Sequence, residues 1–273
     1  MAKAMRMMEE NVKLCDAVVF VLDARAPAAT YNQKLQAIAG SRPVLYLFNK
    51  WDLGSADALL TAVKGAGKAV CPLDATSPRG KNALMAAMNA VVSEKAQRLK
   101  EKGMARPLRF LVAGVPNTGK STVINLLSGA KRAVTGDKAG VTRSKQWVKC
   151  GAFDLMDTPG TMPPSFADQT LARRLAYIGS VNDDILELDE IALALLEDLS
   201  SLAPAALFDR YGIEGGTPLQ MLEKVCIRRG FLLKGDEYDY ERGERALIDD
   251  FRKGKLGRLT FDSAEDLKNA GLI

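Results

Sequence analysis

The amino-acid sequence predicts an α/β domain, built on a mostly parallel sheet with helices on both faces, followed by a small all-α domain. Short apolar runs of strand length, such as residues 17–22 and 43–48, alternate with segments of helical periodicity, which is typical of a parallel sheet covered on both faces. A glycine-rich turn at residues 114–121 joins another such run to a helix. The last third of the chain shows helical patterns only. We therefore expect a first domain at residues 1–178 and a second at residues 179–273.

The composition limits the class of protein. The chain has 273 residues, 47% of them hydrophobic, which is enough for two domains with buried cores. It contains no apolar run of about 18 residues, so we expect no membrane span, and its N-terminus lacks the layout of a signal peptide. Four cysteines without CxxC spacing favour reduced, buried thiols in a cytoplasmic protein. There is no histidine, so any imidazole needed for chemistry must come from elsewhere.

Charge is distributed unevenly along the chain. Residues up to Gly179 include 26 Lys+Arg and 13 Asp+Glu. Residues from Ser180 onward include 12 Lys+Arg and 20 Asp+Glu. A basic first part suits a polyanionic partner such as nucleic acid. A basic surface that is merely solvated is the alternative, and composition does not separate the two.

The remaining elements follow from periodicity and from glycine and proline punctuation. Further strands are predicted at residues 68–72, 109–113, 146–150 and 153–156. Helices are predicted at residues 3–14, 32–39 and 81–102, and after the glycine-rich turn. In the tail, helices are predicted at residues 186–199, 205–211, 218–229 and 239–252.

The glycine-rich turn fits the phosphate-loop pattern of glycine, four residues, glycine, lysine and serine or threonine. Glycines let backbone N–H groups turn toward a phosphate, and the helix N-terminus adds partial positive charge. Lys120 is expected to reach the β- and γ-phosphates, and the Ser121 hydroxyl to bind Mg²⁺. A chance match is disfavoured because a strand and a helix flank the pattern. The residues expected to contact nucleotide are Asn117, Thr118, Gly119, Lys120, Ser121 and Thr122.

A guanine-reading motif, Asn49-Lys50-Trp51-Asp52, ends the second predicted strand. The Asp52 carboxylate can accept hydrogen bonds from N1–H and the 2-amino group of guanine, donors that adenine lacks. A buried acceptor left unpaired is costly, so such a site can discriminate by a factor on the order of 10⁴. Alone this motif is weak, but beside a phosphate loop it is strong. Asp74 and Ala75 follow the next strand and are expected to contact the base through the backbone.

Two segments are candidates for sensing the γ-phosphate. Thr142, in Gly140-Val141-Thr142, is expected to complete Mg²⁺ coordination. Asp157 and Gly160, in Asp157-Thr158-Pro159-Gly160, are expected to hold Mg²⁺ through water and to offer an N–H to the γ-phosphate. Ordering of both segments by the γ-phosphate is the usual switch of such sites. Lys120, Thr142 and Gly160 form the predicted catalytic set.

The order of these motifs is inverted, because the guanine motif precedes the phosphate loop. The same sheet can form if the ends are joined differently, since native termini lie close together at the surface. With Met1-Ala2-Lys3-Ala4, Asp23-Ala24-Arg25-Ala26-Pro27 and Gln146-Trp147, the set resembles the circularly permuted GTPases of the ribosome biogenesis GTPase A family over most of the chain. That resemblance implies a bacterial factor for late assembly of the large ribosomal subunit. It implies GTP and GDP as ligands, Mg²⁺ as cofactor and the precursor of that subunit as partner.

Three positions depart from the family pattern. Family members carry a histidine in Phe-Pro-Gly-His just before Met-Ala-Lys-Ala, whereas this sequence starts at Met1. Ala139 stands where proline is usual, and Thr161 stands where the family has an apolar residue rather than a water-positioning glutamine. We therefore expect slow hydrolysis without the ribosomal particle.

Two alternatives stay open at this point. One is a nucleotide-gated RNA- or ribosome-binding module that scarcely hydrolyses GTP. The other is a permuted GTPase of the small subunit, which is less favoured because such relatives commonly add an OB-fold or zinc module. Asn117 holds the position that coordinates K⁺ in potassium-activated GTPases, although it could instead stabilise the loop turn. In the tail, the predicted phosphate-contacting set is Arg228, Arg229, Arg252, Lys253, Lys255 and Arg258, with solvated helix faces as the alternative.

Overall fold

The computed structural model describes residues 2–129, 146–162 and 168–273. Its strands are β1 (Ala17–Asp23), β2 (Val44–Asn49), β3 (Ala69–Leu73), β4 (Leu108–Ala113), β5 (Gln146–Cys150) and β6 (Phe153–Asp157). Its α-helices are α1 (Ala2–Val12), α2 (Pro27–Thr30), α3 (Gln33–Ala39), α4 (Asp57–Gly65), α5 (Lys81–Val91), α6 (Ser93–Glu101), α7 (Lys120–Ser128), α8 (Gln169–Tyr177), α9 (Leu188–Leu202), α10 (Pro204–Tyr211), α11 (Pro218–Arg229), α12 (Tyr240–Arg252) and α13 (Ala264–Asn269). Two 3₁₀ turns lie at Pro78–Gly80 and Asp183–Ile185.

The six strands form one sheet in the order β3-β2-β1-β4-β6-β5. Every neighbouring pair is parallel except β5 and β6, which are antiparallel. The mostly parallel sheet predicted from the apolar runs is therefore confirmed. The strand order turns back between β1 and β4, so the loop after β4 lies at a topological switch point. In open α/β sheets, ligands bind in the crevice at such points, beyond the carboxyl ends of the strands.

Helices cover both faces of the sheet, as predicted. Alternate residues of β1 point to opposite faces, and they fall into two separate buried clusters. One cluster joins Val19 and Val21 to side chains of α5 and α7, including Leu84 and Ile124. The other joins the opposite face of β1 to α1, α3 and α4. All seven residues of β1 are buried, which is why the first six form a continuous apolar run rather than an alternating pattern.

A third buried cluster holds the helical part of the chain together. It includes residues of α8, α9, α10, α11 and α12 and also Ala26, Ala29 and Val115 from the sheet part. In the other direction, Leu267 of α13 and Leu272 pack in the cluster beneath α1, α3 and α4. Packing therefore crosses the expected boundary between residues 178 and 179 in both directions.

The predicted long helix at residues 81–102 is wrong, because the structure has two helices there. The chain leaves helical geometry at Val92, whose φ and ψ are −108° and 12°. Helix α5 buries Leu84 and Met88, whereas α6 buries none of its residues. The break separates a segment that buries two side chains against the sheet from a charged, mostly exposed segment of which Leu99 packs partly against the same core. Sequence reasoning also assigned no helix to α2, α4, α8 or α13.

The structure bears on two expectations drawn from composition. All four cysteines are buried and none forms a disulfide, so the expectation of buried thiols is confirmed. Among the described residues, no single helix combines the length and apolar composition of a membrane span. Helices α9 and α10 meet that test only when taken as a pair, and they are bent by 116° relative to each other.

Candidate nucleotide-binding site

The loop between β4 and α7 passes very close to neighbouring segments of the chain. A Cβ at position 114 would lie 2.6 Å from the Val21 carbonyl oxygen, so Gly114 lets this loop pass against β1. Gly119 has φ of 91°, and a Cβ there would collide with the Asn49 amide nitrogen. Both glycines are thus required by neighbouring chain segments as well as by the turn itself. The result is the strand, tight loop and helix start expected for a phosphate loop.

The Lys120 side chain lies inside the phosphate loop. Its Nζ donates to the Val115 carbonyl at 2.7 Å, and the residue is only 7% exposed. Burial lowers the pKa of Lys120 to about 8, although the negative charge of Asp157 opposes that shift. An ammonium held in a loop of backbone N–H groups at a helix N-terminus is suited to bind a polyphosphate.

Ser121 and Asp157 bring two oxygen ligands together at the start of α7. The Ser121 hydroxyl donates to Asp157 Oδ2 at 2.7 Å, and Asp157 is buried at the end of β6. No group of three His, Cys, Asp or Glu side chains suited to a metal lies within the described residues. Mg²⁺ is held in nucleotide sites by one or two oxygen side chains together with phosphates and waters. The donors present therefore fit Mg²⁺.

Asn49 connects three loops through one buried amide at the end of β2. Its Nδ2 donates to the Thr118 carbonyl at 2.7 Å, and its Oδ1 accepts from the Ala75 backbone N–H at 3.1 Å. The guanine motif, the phosphate loop and the loop after β3 are thereby fixed to one another. Sequence reasoning expected the Ala75 segment to contact the base through its backbone, and here the Ala75 N–H donates to Asn49 Oδ1.

Lys50 lies across the phosphate loop in a left-handed conformation with φ of 57°. Its Nζ donates to the Asn117 carbonyl at 2.6 Å and pairs with Asp23 Oδ2 at 3.0 Å. Arg25 holds the same carboxylate through two hydrogen bonds of 2.9 and 2.7 Å. Burial by itself would raise the pKa of Asp23, but Arg25 and Lys50 outweigh it and hold that pKa well below its usual range. The sequence indicated Asp23 and Arg25 only as parts of a family motif, and the structure shows that they support Lys50.

Asp52 and Asp74 lie at the more open end of the site. The Asp52 side chain is exposed overall. Its pKa is nevertheless raised, because nearby protein atoms partly desolvate the carboxyl group and because the charge of Asp74 is close. Asp74 accepts two hydrogen bonds from Thr76, one from the backbone N–H at 2.8 Å and one from the hydroxyl at 2.6 Å. Asp52 thus faces a locally negative environment, in which two donors from a base would be favourable.

The segment after β6 touches the phosphate loop directly. A Cβ at position 160 would lie 2.7 Å from the Pro116 Cα, so Gly160 permits this contact. The Thr161 N–H donates to the Gly114 carbonyl at 3.2 Å. Thr122 is half-buried in the first turn of α7. Thr142 and Ala139 lie outside the described residues.

The phosphate loop is also bonded to the start of the helical part. The Asn117 amide nitrogen donates to the Gly179 carbonyl at 2.6 Å, and the Ser180 hydroxyl donates to the Pro116 carbonyl at 2.8 Å. No sequence pattern indicated these contacts.

Residues of the predicted phosphate-contacting set in the tail make contacts within the chain, among them Arg229, whose guanidinium lies 3.9 Å from Asp250 Oδ2. Arg252 donates to the Ala176 and Tyr177 carbonyls at 2.7 and 2.9 Å. Arg258 donates to the Gly54 carbonyl at 2.8 Å. Lys253 and Lys255 form ion pairs of 2.5 and 2.9 Å with acidic residues of α12. Arg252 and Arg258 therefore hold the tail against the rest of the chain.

A parallel sheet with a phosphate loop at its switch point, and a guanine motif bonded to that loop, defines a GTPase whose motif order is circularly permuted. A family model described as "50S ribosome-binding GTPase" matches residues 109–203. Ribosome biogenesis GTPase A of Bacillus cereus is 35% identical, covering 97% of this chain and 92% of its own length. The protein of that name from Thermotoga maritima is 30% identical, covering 97% of this chain and 92% of its own length. The chain belongs to the ribosome biogenesis GTPase A family.

Solved structures agree with this assignment. GDP-bound TM YlqF matches with a TM-score of 0.68 and 26% identity, covering 95% of this chain and all of its own. GNP-bound YlqF from T. maritima matches with a TM-score of 0.64 and 28% identity, covering 97% of this chain and 99% of its own. The likeness spans both the sheet part and the helical part of the chain.

Proposed function

We propose that this protein binds and hydrolyses GTP and acts in the cytoplasm as an assembly factor for the large ribosomal subunit, whose precursor it binds in a nucleotide-dependent way. The observation that carries the proposal is the pair of hydrogen bonds made by Asn49, which fix a guanine motif to a phosphate loop. Membership of the ribosome biogenesis GTPase A family supports the ribosomal part.

At the base end of the site, Asp52 accepts hydrogen bonds from guanine N1–H and the 2-amino group. Asn49 and Lys50 set the position of Asp52 because both are bonded to the phosphate loop. Asp74 and Ala75, in the loop after β3, form the side of the base site next to Asp52. A site built to pair these donors rejects adenine, which would leave a carboxylate desolvated and unpaired.

At the phosphate end, Lys120 and the N–H groups of Asn117, Thr118, Gly119, Ser121 and Thr122 hold the phosphates. Ser121 and Thr142, through their hydroxyls, and Asp157, through a water, would hold Mg²⁺. Mg²⁺ supplies charge neutralisation for phosphoryl transfer. The Gly160 N–H meets the γ-phosphate, and Lys120 stabilises the charge that develops on the transferred group.

Hydrolysis by the isolated protein is expected to be slow. Thr161, beside Gly160, is buried and too short to position a water as a glutamine does. Its hydroxyl has no hydrogen-bond partner among the described residues. This observation also favours the second candidate function, a nucleotide-gated ribosome-binding module with negligible turnover.

Single-turnover hydrolysis of labelled GTP, with and without purified large-subunit precursor particles, separates the two functions. We expect a low rate that the particles raise by an order of magnitude or more, and Lys120→Ala should abolish the rise because it removes the charge that stabilises the transition state. An unchanged rate with saturating particles would support the gated-module alternative.

A further inference from the structure

We propose that the helical part carries a second binding site, a cleft for an unpaired ribonucleotide of RNA formed by Arg229, Phe231, Arg242 and Arg245. This proposal rests on the proposed function, since it names the RNA chemistry that the ribosome-binding part would recognise. The cleft lies between the end of α11, the loop that follows it and α12. None of its residues belongs to the nucleotide-binding site.

The cleft has the size and lining of a ligand site. Its volume is about 410 Å³, and its walls include four arginines and one aromatic ring against two aspartates. Ligand pockets in proteins measure roughly 300–1,000 Å³. Leu188 and Ile248 add apolar surface at the base of the cleft. Positive charge beside an apolar floor suits a ligand that combines an anion with a flat, weakly polar group.

Phe231 and two arginines form a stacking platform. The Arg242 guanidinium carbon lies 4.4 Å from the ring centre of Phe231, and that of Arg229 lies 5.8 Å from it. Aromatic rings and arginine guanidinium planes are the surfaces on which unstacked RNA bases are bound. Phe231 itself is half-buried, and the Arg242 side chain that lies over its ring is 62% exposed, so the accessible face of the platform is the guanidinium plane.

Two arginines of the cleft already pair with aspartates, Arg252 with Asp183 at 2.6 Å and the exposed Arg242 with Asp239 at 3.7 Å, whereas the charges of the other two are less fully neutralised. Buried Asp250 already pairs with Arg210 and Lys255 at 2.8 and 2.9 Å, so Arg229 at 3.9 Å is a third cation around one carboxylate. Arg245 pairs with Glu241 at 3.0 Å, but both side chains are more than half exposed. Exposed pairs of this kind contribute little to stability, so Arg245 can turn to a phosphate at small cost.

The combination favours single-stranded RNA over a duplex or an acidic peptide. A duplex hides its base faces in the stack, and an acidic peptide would use the arginines but not the ring. Residues 185–223 next to the cleft contain one basic residue and eight acidic ones, a surface that repels RNA. RNA contact in this part of the molecule is thereby directed to the cleft.

The test is binding of fluorescein-labelled oligoribonucleotides to the full chain, measured by anisotropy. The probes are a twelve-nucleotide oligo(A), an abasic strand of the same length and a duplex. We expect tightest binding to oligo(A). Phe231→Leu should weaken oligo(A) binding about tenfold, within the range for one stacked base, and leave abasic binding unchanged, while Phe231→Tyr should retain it.

Arg245→Ala should reduce the slope of log affinity against log salt by about 0.7, the value for one phosphate contact with a single strand. Arg98→Ala is the matched control, because Arg98 pairs with Glu94 at the same helical spacing and is as exposed as Arg245. It should leave the slope unchanged. Unaltered GDP affinity in each variant shows that the fold is intact.

Several results would overturn the proposal. They are equal affinity for oligo(A) and the abasic strand, an equal effect of Arg98→Ala and Arg245→Ala, or binding of an acidic peptide that also depends on Phe231. If the unmodified protein binds precursor particles and Phe231→Leu has no effect on any probe, this inference fails and the proposed function stands. If the cleft behaves as expected but no particle is bound, the proposed function fails instead.

Discussion

At the scale of single residues, Asn49 joins the guanine motif to the phosphate loop and to the loop after β3 through one amide. Asn49→Ala removes both bonds and leaves the buried Thr118 carbonyl without this donor, at a cost of about 1–3 kcal/mol. We expect affinity for GTP and for GDP to fall by roughly 5- to 150-fold, measured by calorimetry. Asn82→Ala, at an exposed position of α5, is the control and should change neither affinity.

Base selection depends on Asp52. Asp52→Asn should shift preference from guanosine to xanthosine nucleotides, because an amide can donate to the 2-oxo group that replaces the 2-amino group. Competition between labelled GDP and unlabelled GTP, XTP and ATP measures this shift. Equal affinity of the unmodified protein for ATP and GTP would refute the guanine assignment.

We also propose that K⁺ assists turnover through Asn117. A monovalent cation near the phosphates can offset charge in the transition state where no arginine is supplied. The structure offers a second role, since Asn117 has φ of 59° and its amide bonds to the Gly179 carbonyl. Turnover in KCl and NaCl at equal ionic strength decides between them. Faster turnover in KCl that is lost in Asn117→Ala indicates that Asn117 is a cation ligand. Equal rates in both salts would contradict that role and favour the loop contact with Gly179.

At the scale of elements, Arg252 fastens α12 to the end of α8. It donates to the Ala176 and Tyr177 carbonyls and pairs with Asp183 at 2.6 Å. Hydrogen bonds to charged groups contribute about 1.5–3 kcal/mol each and do not add fully. Arg252→Met should therefore lower the free energy of unfolding by about 2–4 kcal/mol in urea titrations. Arg98→Met, at an exposed helix pair, should lower it by less than about 1 kcal/mol; similar losses for both variants would contradict this role.

The strands could be predicted from sequence, because a parallel strand buried on both faces is a continuous apolar run. β1 and β2 are examples, and each delivers a polar residue of the site at its carboxyl end. The phosphate loop and the guanine motif were predictable because their backbone demands specific residues at fixed spacing. Helix ends and breaks were less predictable, since the sequence indicated one helix at residues 81–102 and the structure breaks it at Val92.

Contacts between distant segments could not be predicted. The sequence indicates Asp23 and Arg25 as a motif, but only the fold brings Lys50 to the same carboxylate. Likewise, nothing in the pattern around Ser180 predicts its bond to the Pro116 carbonyl. Such contacts depend on how packed elements meet, and a single sequence carries no local signal for that.

At the scale of the whole molecule, the phosphate loop and the helical part are directly bonded. Asn117 and Ser180 supply those bonds, and Thr161 ties the segment after β6 to Gly114. A γ-phosphate that orders the segment after β6 would therefore bias the position of the helical part. Coupling of this kind is reciprocal and typically about 1–3 kcal/mol, or roughly 5- to 150-fold in affinity. Particle binding should favour GTP over GDP by the same factor.

The most direct test of nucleotide-dependent particle binding is co-sedimentation. The protein is sedimented with large-subunit precursor particles in the presence of a non-hydrolysable GTP analogue, GDP or no nucleotide. We predict tighter binding with the analogue than with GDP, by roughly 5-fold or more. Thr142→Ala should remove most of that difference and leave GDP affinity nearly intact, because Thr142 is assigned to the γ-phosphate state alone. Equal binding in all three conditions would contradict the nucleotide-dependent switch.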